Sequence, residues 1–249
     1  MAVWLAGEIG VNKVIRTARE LGIRTPLQPY VSTALGASEV VLLDLATAYR
    51  AIASGVLAEP HVIERVHDAS GGVLYEAPRR VREIESADVR LMQEGLRGVI
   101  RLPSGTAHAL DGRDFPIPVM GKTGTTSDFR DALFVGSTYG RTGITVAVRI
   151  GFDDNRVLGD QETGGRAALP IFREVMLRVY RDGLVGPVPE FPPAIEERID
   201  QYLARRAAQE AGGEKPSRPA VDSGVSSSPP AATSTVSDAL LHRSRSRSL

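Results

Sequence analysis

The sequence contains no cysteine among its 249 residues. Disulfides, thiolate nucleophiles and cysteine zinc sites are therefore excluded. No apolar run approaches the roughly 18 residues that a membrane span requires. Charge of one sign is also lacking, because Lys plus Arg and Asp plus Glu both number 30, and no overall basic field favours nucleic acid. With 42% hydrophobic residues the chain predicts a globular protein, whose partners must be inferred from local motifs.

Lysine is scarce as well. Only three of the 30 basic residues are lysines, namely Lys13, Lys122 and Lys215. Lys122 lies in "PIPVMGKTGTT", after an apolar run, between two glycines and followed by threonines. Arginine serves elsewhere in the chain wherever a charge is needed for solubility, so this position indicates chemistry that needs a compact ammonium group.

Helical periodicity with capping residues predicts four helices in the first 183 residues. On the first helix Asn12 is the predicted N-cap, and on the third Ser86. Spacing places Leu91, Met92 and Leu96 on the apolar side of the third helix. The four segments are "VNKVIRTARELGI", "SEVVLLDLATAYRAIASG", "SADVRLMQEGLRGVI" and "GRAALPIFREVMLRVYRDG".

Alternating β-rich runs predict two antiparallel units. "HVIERVHDASGGVLYE" contains two short runs around a Ser-Gly-Gly turn and predicts a hairpin. "IPVMGKTGTT", "DALFVGSTY" and "GITVAVRIGF", joined by short turns, predict a three-stranded meander. Since helices precede and follow the meander, the predicted fold class is α/β, an antiparallel sheet flanked by helices on both faces.

Composition divides the chain into three parts. Residues 1–183 form the predicted domain, and residues 184–211 form a Pro-rich connector with a charged helix. Residues 212–249 are rich in Pro, Ser, Ala and Thr without aromatics, which predicts a disordered tail. The chain begins "MAVWLAGEIG" with no basic region or cleavage site, so no signal peptide is expected.

One interpretation of Lys122 is a phosphate-binding loop. Residues Gly121 to Thr123 match the end of the pattern G-x-x-x-x-G-K-[ST]. The required first glycine falls on Pro116, and the sequence after Thr123 continues as an extended chain rather than opening a helix. A nucleotide-binding protein that uses Gly121 to Thr123 stays as the alternative function.

The second interpretation is a Lys-Thr-Gly strand. With a period of two, Thr123 and Thr125 project to the same side, and their two hydroxyls are spaced to bind a carboxylate. Gly124 permits the close approach of another backbone or a substrate. Lys122 adds positive charge, and the N–H of Thr125 offers a donor for an acyl oxyanion. Lys-Thr-Gly is a signature element of β-lactamases and penicillin-binding proteins.

The surrounding sequence resembles the transpeptidase domain of bifunctional, class A penicillin-binding proteins of the 1A type. The likeness covers about Leu5 to Tyr180, through six segments in the family's order. They are "LGASEVVLLDLATAY", "EPHVIERVHDASGGVLY", "SGTA", "GKTGTTSDFRDALFVG", "VRIGFDD" and "LGDQETGGRAALPIF". "SGTA", Ser104 to Ala107, is expected to be a loop near the cleft with a structural role.

The resemblance implies a serine-type D-Ala-D-Ala transpeptidase or carboxypeptidase on the periplasmic side of the cytoplasmic membrane. Its implied partners are peptidoglycan stem peptides ending in D-Ala-D-Ala and, in the intact enzyme, β-lactams, with no nucleic acid. It implies no metal or organic cofactor. By the same resemblance Lys122 and Thr125 are the catalytic residues, and Thr123, Gly124 and Thr125 bind the substrate.

The sequence also departs from the family pattern. No serine is followed three residues later by lysine, so the nucleophile motif Ser-x-x-Lys is absent, and no Ser-x-Asn triplet is present. The glycosyltransferase domain and membrane anchor of the family are not found either. These departures predict the C-terminal part of a transpeptidase, inactive alone. Truncation and a split reading frame both explain them, and a missing N-terminal half on another chain stays open as a partner. A non-catalytic interaction fragment is a further alternative.

Overall fold

The computed structural model describes residues 2 to 211, and the predicted tail, 212–249, lies outside them. The helices are α1 (Ala2–Ile9), α2 (Val11–Glu20), α3 (Leu42–Ser54), α4 (Ala87–Arg101), α5 (Leu169–Arg181) and α6 (Pro193–Ala211). The strands are β1 (Val56–Ala58), β2 (Arg65–His67), β3 (Val73–Glu76), β4 (Val81–Glu83), β5 (Met120–Thr125), β6 (Asp131–Ser137) and β7 (Thr145–Gly151). Two units are distinguished, Met1–Ala208 and Gln209–Leu249, and the contacts below lie within the first.

The predicted meander is confirmed as the antiparallel sheet β5-β6-β7. Because β5 pairs with β6 in register Lys122↔Val135, alternate residues of each strand face opposite sides. On one side Phe134 packs edge-on against Phe172 of α5, with ring centroids 4.7 Å apart. On the other side Met120 is buried in a cluster that includes Ile52 of α3. Helices thus cover both faces, as the sequence predicts.

The predicted hairpin is also confirmed, as the pair β2-β3 with a register shift next to its turn, between Val66 and His67. A second two-stranded pair, β1-β4, was not predicted from the sequence. Each of its strands is only three residues long, and the hairpin β2-β3 lies between them in the sequence. No local sequence pattern therefore predicts their pairing. No helix within residues 2–211 combines the length and the apolar character needed to cross a membrane.

Two of the predicted helix caps have different outcomes. Ser86 caps α4, and its hydroxyl accepts a hydrogen bond from the N–H of Val89 at 3.2 Å. The prediction of Asn12 as the N-cap of α2 is wrong. The helix begins at Val11, and Gly10 with φ of 87° occupies the cap position, two residues before Asn12. A backbone turn, which glycine tolerates, replaces the side-chain cap.

The predicted apolar side of α4 is also partly wrong. Leu91 is 63% exposed and Met92 51%, whereas Gln93 and Arg97 are buried. Each buried polar side chain donates to a carbonyl: Gln93 Nε2 to Ile52 at 2.7 Å, and Arg97 Nη1 to Val119 at 2.9 Å. Buried polar side chains whose N–H groups are hydrogen-bonded can line a core face, which a purely apolar pattern does not detect.

Helix α6 packs against the domain rather than standing apart from it. Ile195 and Ile199 are buried in the same cluster as Ile52. Glu196 accepts from Arg97 Nε at 2.8 Å and also pairs with Arg101. The division of the chain at residue 184 stays a prediction, but these contacts join residues 193–199 to the core.

Asp44 connects the first turn of α3 to the preceding loop. Its carboxylate accepts from the N–H and hydroxyl of Thr25, both at 2.8 Å, and from the N–H of Arg24 at 2.9 Å. Burial alone raises the pKa of Asp44, but these hydrogen bonds outweigh burial and hold the pKa below its ordinary value. Ionised Asp44 therefore stabilises the fold above the ordinary pKa of a carboxyl, and this contribution is lost as pH falls through the lowered pKa.

We expect Asp44→Asn to lower the free energy of unfolding by about 1–3 kcal/mol at pH 7, because the three donors named above lose a charged acceptor. The difference should begin to shrink near pH 4, where the carboxyl of the unfolded chain becomes protonated, and should disappear as pH falls through the lowered pKa of the folded state. Urea unfolding across pH 3 to 7 measures it. The matched control is Asp160→Asn, since Asp160 is exposed and makes no hydrogen bond or ion pair within the described residues. An equal effect of both variants would contradict this role of Asp44.

Candidate functional site

Strand β5, which carries the Lys-Thr-Gly sequence, lies at an edge of the sheet. Within the described residues it pairs only with β6. The ladder continues past its end, where Thr126 N–H donates to the carbonyl of Asp131 at 3.2 Å. The N–H and C=O groups of successive residues in a strand alternate in direction. Since those of Thr126 point toward β6, those of Gly124 and Lys122 do too, and those of Thr123 and Thr125 point toward the free edge. Two N–H groups and two carbonyls are therefore offered where an extended ligand can lie.

The side chain of Lys122 bends toward the same edge. Its Nζ donates to the carbonyl of Thr123 at 3.0 Å. The side chain is exposed, and no carboxylate in the described part of the chain forms an ion pair with it. The positive charge is thus free to attract an anionic group that approaches the edge of β5.

Both threonine hydroxyls of β5 are held by other segments. Thr123 Oγ1 lies 2.7 Å from Thr106 Oγ1, and Thr125 Oγ1 accepts from the N–H of Gly164 at 3.2 Å. Since the hydroxyl of Thr125 acts as acceptor in that bond, its own hydrogen remains available to donate. Thr125 is exposed whereas Thr123 is half-buried, so Thr125 is the better placed of the two to bind a ligand.

Gly164 packs directly on the backbone of β5. It begins a single π-helical turn, Gly164–Ala168, that leads into α5. A Cβ at this position would lie 2.5 Å from the carbonyl oxygen of Gly124 and closer still to that of Leu133. Only glycine allows this approach, and a π-helical turn is frequent at functional sites.

The turn after β5 is strained. Asp128 and Phe129 both have positive φ, 59° and 52°, which is unfavourable for residues other than glycine. The turn is held by Leu158, whose N–H donates to the carbonyl of Phe129 at 2.9 Å, and by Thr126, whose hydroxyl accepts from Asp131 N–H at 2.7 Å. Strain of this kind is usually retained where it positions a functional segment.

The sequence predicts that Lys122, Thr123, Gly124 and Thr125 lie on one strand, and in the structure they lie on β5. It did not identify Thr106 or Gly164 as their partners. Thr106 was expected only to belong to a structural loop near the cleft, and Gly164 lies just before the predicted fourth helix with no role assigned to it. Their segments lie 17 and 39 residues away from the threonines that they contact, and no local pattern encodes such contacts.

The phosphate-loop interpretation does not agree with this geometry. A phosphate loop requires a helix to begin at the Lys-Thr pair so that its N-terminal N–H groups face the anion. Here Lys122 and Thr123 lie in the middle of β5, and the three-residue turn Ser127–Phe129 follows the strand. Residues 2–211 contain no group of three or more His, Asp or Glu placed to hold a metal ion.

Comparison with known proteins gives one family match. The model of the penicillin binding protein transpeptidase domain matches residues 19–177. A curated relative, penicillin-binding protein 1A of Aquifex aeolicus, is 38% identical over 183 residues, which cover 72% of this chain and 24% of that protein. The chain spans about a quarter of the length of the curated relatives it matches.

Solved structures show the same fold. Penicillin-binding protein 1A from Haemophilus influenzae superposes with a TM-score of 0.63 at 24% identity, over 77% of this chain and 33% of that one. Penicillin-binding protein A from M. tuberculosis, solved as an imipenem acyl-enzyme complex, superposes with a TM-score of 0.54 at 20% identity, over 71% of this chain and 44% of that one. At these identities the structural likeness concerns the fold alone.

Proposed function

The chain belongs to the family of penicillin binding protein transpeptidase domains, and from this premise we propose that it supplies the Lys-Thr-Gly side of a D,D-transpeptidase site. The site would cross-link peptidoglycan stem peptides that end in D-Ala-D-Ala. One observation carries the proposal: Lys122 Nζ bends back to the carbonyl of Thr123 at the unpaired edge of β5, the edge toward which the N–H of Thr125 also points.

In this proposal each residue acts on a different part of the substrate. An extended stem peptide lies along the free edge of β5 and adds to it as a strand does. Its terminal carboxylate accepts from the Thr125 hydroxyl and is attracted by the charge of Lys122. Gly124 leaves room for Gly164, whose N–H fixes the Thr125 side chain. The N–H of Thr125 donates to the oxyanion that forms during acylation.

The nucleophilic serine comes from outside this chain in our proposal. Its oxygen attacks the carbonyl carbon of the penultimate D-Ala, and the terminal D-Ala leaves with a proton on its amine. An amine of a neighbouring stem peptide then attacks the resulting ester, forms the cross-link and frees the serine. No serine of this sequence has lysine three residues later, so the chain alone is inactive in this proposal.

An exposed apolar surface is available for the part that carries the serine. Helix α1 contacts the 3₁₀ turn Val31–Leu35, and together they leave Trp4, Tyr30 and Leu35 64–66% exposed. Exposed apolar groups of this size usually mark an interaction surface. We propose that the N-terminal half of the transpeptidase domain covers it, and that the assembled enzyme works on the periplasmic side of the cytoplasmic membrane and binds β-lactams.

The chain alone is expected to form no covalent adduct with labelled penicillin, because the acylated serine is not part of it. Incubation with fluorescent penicillin, denaturation and gel electrophoresis test this. The intact Aquifex aeolicus relative serves as the positive control. A labelled band at 26.7 kDa that survives denaturation would show that this chain contains its own nucleophile.

A joined protein tests the role of Thr125. In it, residues 2–211 of this chain, which include the family match at 19–177, replace the corresponding segment of the Aquifex aeolicus protein. Thr125→Val keeps the shape and removes the hydroxyl, so penicillin acylation should slow about ten- to a hundredfold. Thr125→Ser, which restores the hydroxyl, should recover most of the rate. Thr142→Val, in the exposed turn between β6 and β7, is the matched control. Equal rates for Thr125→Val and Thr142→Val would exclude a role for the Thr125 hydroxyl.

A further inference from the structure

A second concave site lies on elements that do not include β5. A cavity of about 330 Å³ opens between the C-terminal end of α2, the first half of α3 and the β1-β4 pair. Its lining is mostly apolar and includes Leu57, Val81 and Pro60. Nothing in the proposed transpeptidase site uses these residues.

The shape of this cavity depends on a close contact at the end of α2. Gly22 has φ of 104°, and a Cβ there would lie 2.9 Å from Leu57 Cδ1 and 3.1 Å from Thr47 Cγ2. Glycine therefore lets the helix end, β1 and α3 approach each other closely. The floor of the cavity is built from three separate elements and not from one mobile loop.

Four arginines surround the apolar floor: Arg19, Arg24, Arg80 and Arg82, with a single carboxylate, Glu59, among the lining residues. Their positive charges are not equally available. Arg24 is paired with Asp44 at 3.4 Å and lies 4.0 Å from Glu59. Arg82 donates to the backbone carbonyl of Glu20, which leaves its charge without a carboxylate partner.

Arg19 and Arg80 differ from the other two. Neither side chain makes a hydrogen bond or an ion pair within residues 2–211. Two guanidinium groups without a partner in residues 2–211 thus line an apolar cavity, one from α2 and one from the segment before β4. A guanidinium group binds a carboxylate through paired hydrogen bonds. Burial of the apolar floor under a hydrocarbon group removes apolar surface from water and favours binding.

We propose that this cavity binds a small organic anion that combines an apolar body with one carboxylate. The volume is at the lower end of the range of small-molecule sites, which fits a single ligand of about eight to ten carbon atoms better than a folded partner. The apolar body lies against Leu57 and Val81, and the carboxylate is bound by Arg19 and Arg80.

Calorimetric titration of the full chain with octanoate tests the proposal, with acetate and 1-octanol as probes of each half of the ligand. Octanoate is expected to bind saturably with one site per chain, and both other probes about tenfold or more weakly, because each lacks one of the two features. Added NaCl should weaken octanoate binding, since the arginines are exposed. Equal binding of 1-octanol, or no saturable binding of octanoate, would overturn the proposal.

Charge variants locate the site. The double variant Arg19→Ala/Arg80→Ala should weaken octanoate about tenfold. Arg113→Ala, which removes an exposed arginine that also has no partner in the described part of the chain and lies outside the cavity, should leave binding unchanged. Both variants alter surface residues, and circular dichroism verifies their folding. Equal binding by the two variants, or binding only to vesicles of anionic lipid, would overturn the assignment of this cavity.

Discussion

Lys122→Arg in the joined protein is expected to slow penicillin acylation by about a hundredfold, although it conserves the positive charge. The ammonium of Lys122 is compact and donates to the carbonyl of Thr123 at the free edge of β5. A guanidinium group is broad and planar, so it cannot occupy the same place without entering the space of the ligand. In our proposal the same lysine orients the serine of the complementary part, and this contact is lost as well.

The matched control for this substitution is Lys13→Arg. Lys13 is exposed on α2, a helix outside the sheet that contains β5. The second-order rate constant of acylation, measured with fluorescent penicillin for wild type and both variants, separates the two lysines. We expect Lys13→Arg to match wild type. If Lys122→Arg also matched it in a folded protein, Lys122 to Thr125 would be an ordinary strand.

Gly164→Ala is expected to destabilise the joined protein by about 2–3 kcal/mol and to slow acylation at least tenfold. The added methyl group would meet the carbonyl oxygens of Gly124 and Leu133, which are backbone atoms of two paired strands and cannot rotate away. The turn before α5 must therefore move outward. Thr125 then loses the N–H that holds its hydroxyl, and the edge of β5 loses its alignment.

Gly186→Ala provides the comparison for Gly164→Ala. A Cβ at Gly186 would meet no atom within 4 Å, so the same chemical change is made without a collision. Thermal unfolding and acylation rates are measured on both variants. A wild-type melting temperature and rate for Gly164→Ala would show that the backbone contact between Gly164 and β5 is dispensable.

The parts of the fold that the sequence predicts correctly have local causes. The meander follows from alternating β-rich runs joined by short turns, and the start of α4 follows from the hydroxyl of Ser86. Helix α3 ends at Gly55, which has φ of 71°, a conformation that glycine adopts readily. Each of these features is decided within a few residues, so one sequence suffices to predict it.

Features that depend on contacts between residues far apart in the sequence cannot be predicted from local patterns. The burial of Gln93 and Arg97 depends on carbonyls of α3 and of the segment before β5. The candidate site shows the same limit. Its lysine and threonines are contiguous and carry a recognisable pattern, whereas Thr106 and Gly164 are joined to them only by folding.

The measurement that tests the central claim most directly is penicillin acylation of the joined protein itself. We expect a labelled band, formed with a second-order rate constant of acylation within about tenfold of that of the intact Aquifex aeolicus protein, since residues 19–177 then supply a working Lys-Thr-Gly strand. Replacement of Lys122, Thr123 and Thr125 together by alanine should abolish the band. A folded joined protein that forms no adduct, or a triple variant that labels as fast as wild type, would contradict the claim that this strand forms part of a transpeptidase site.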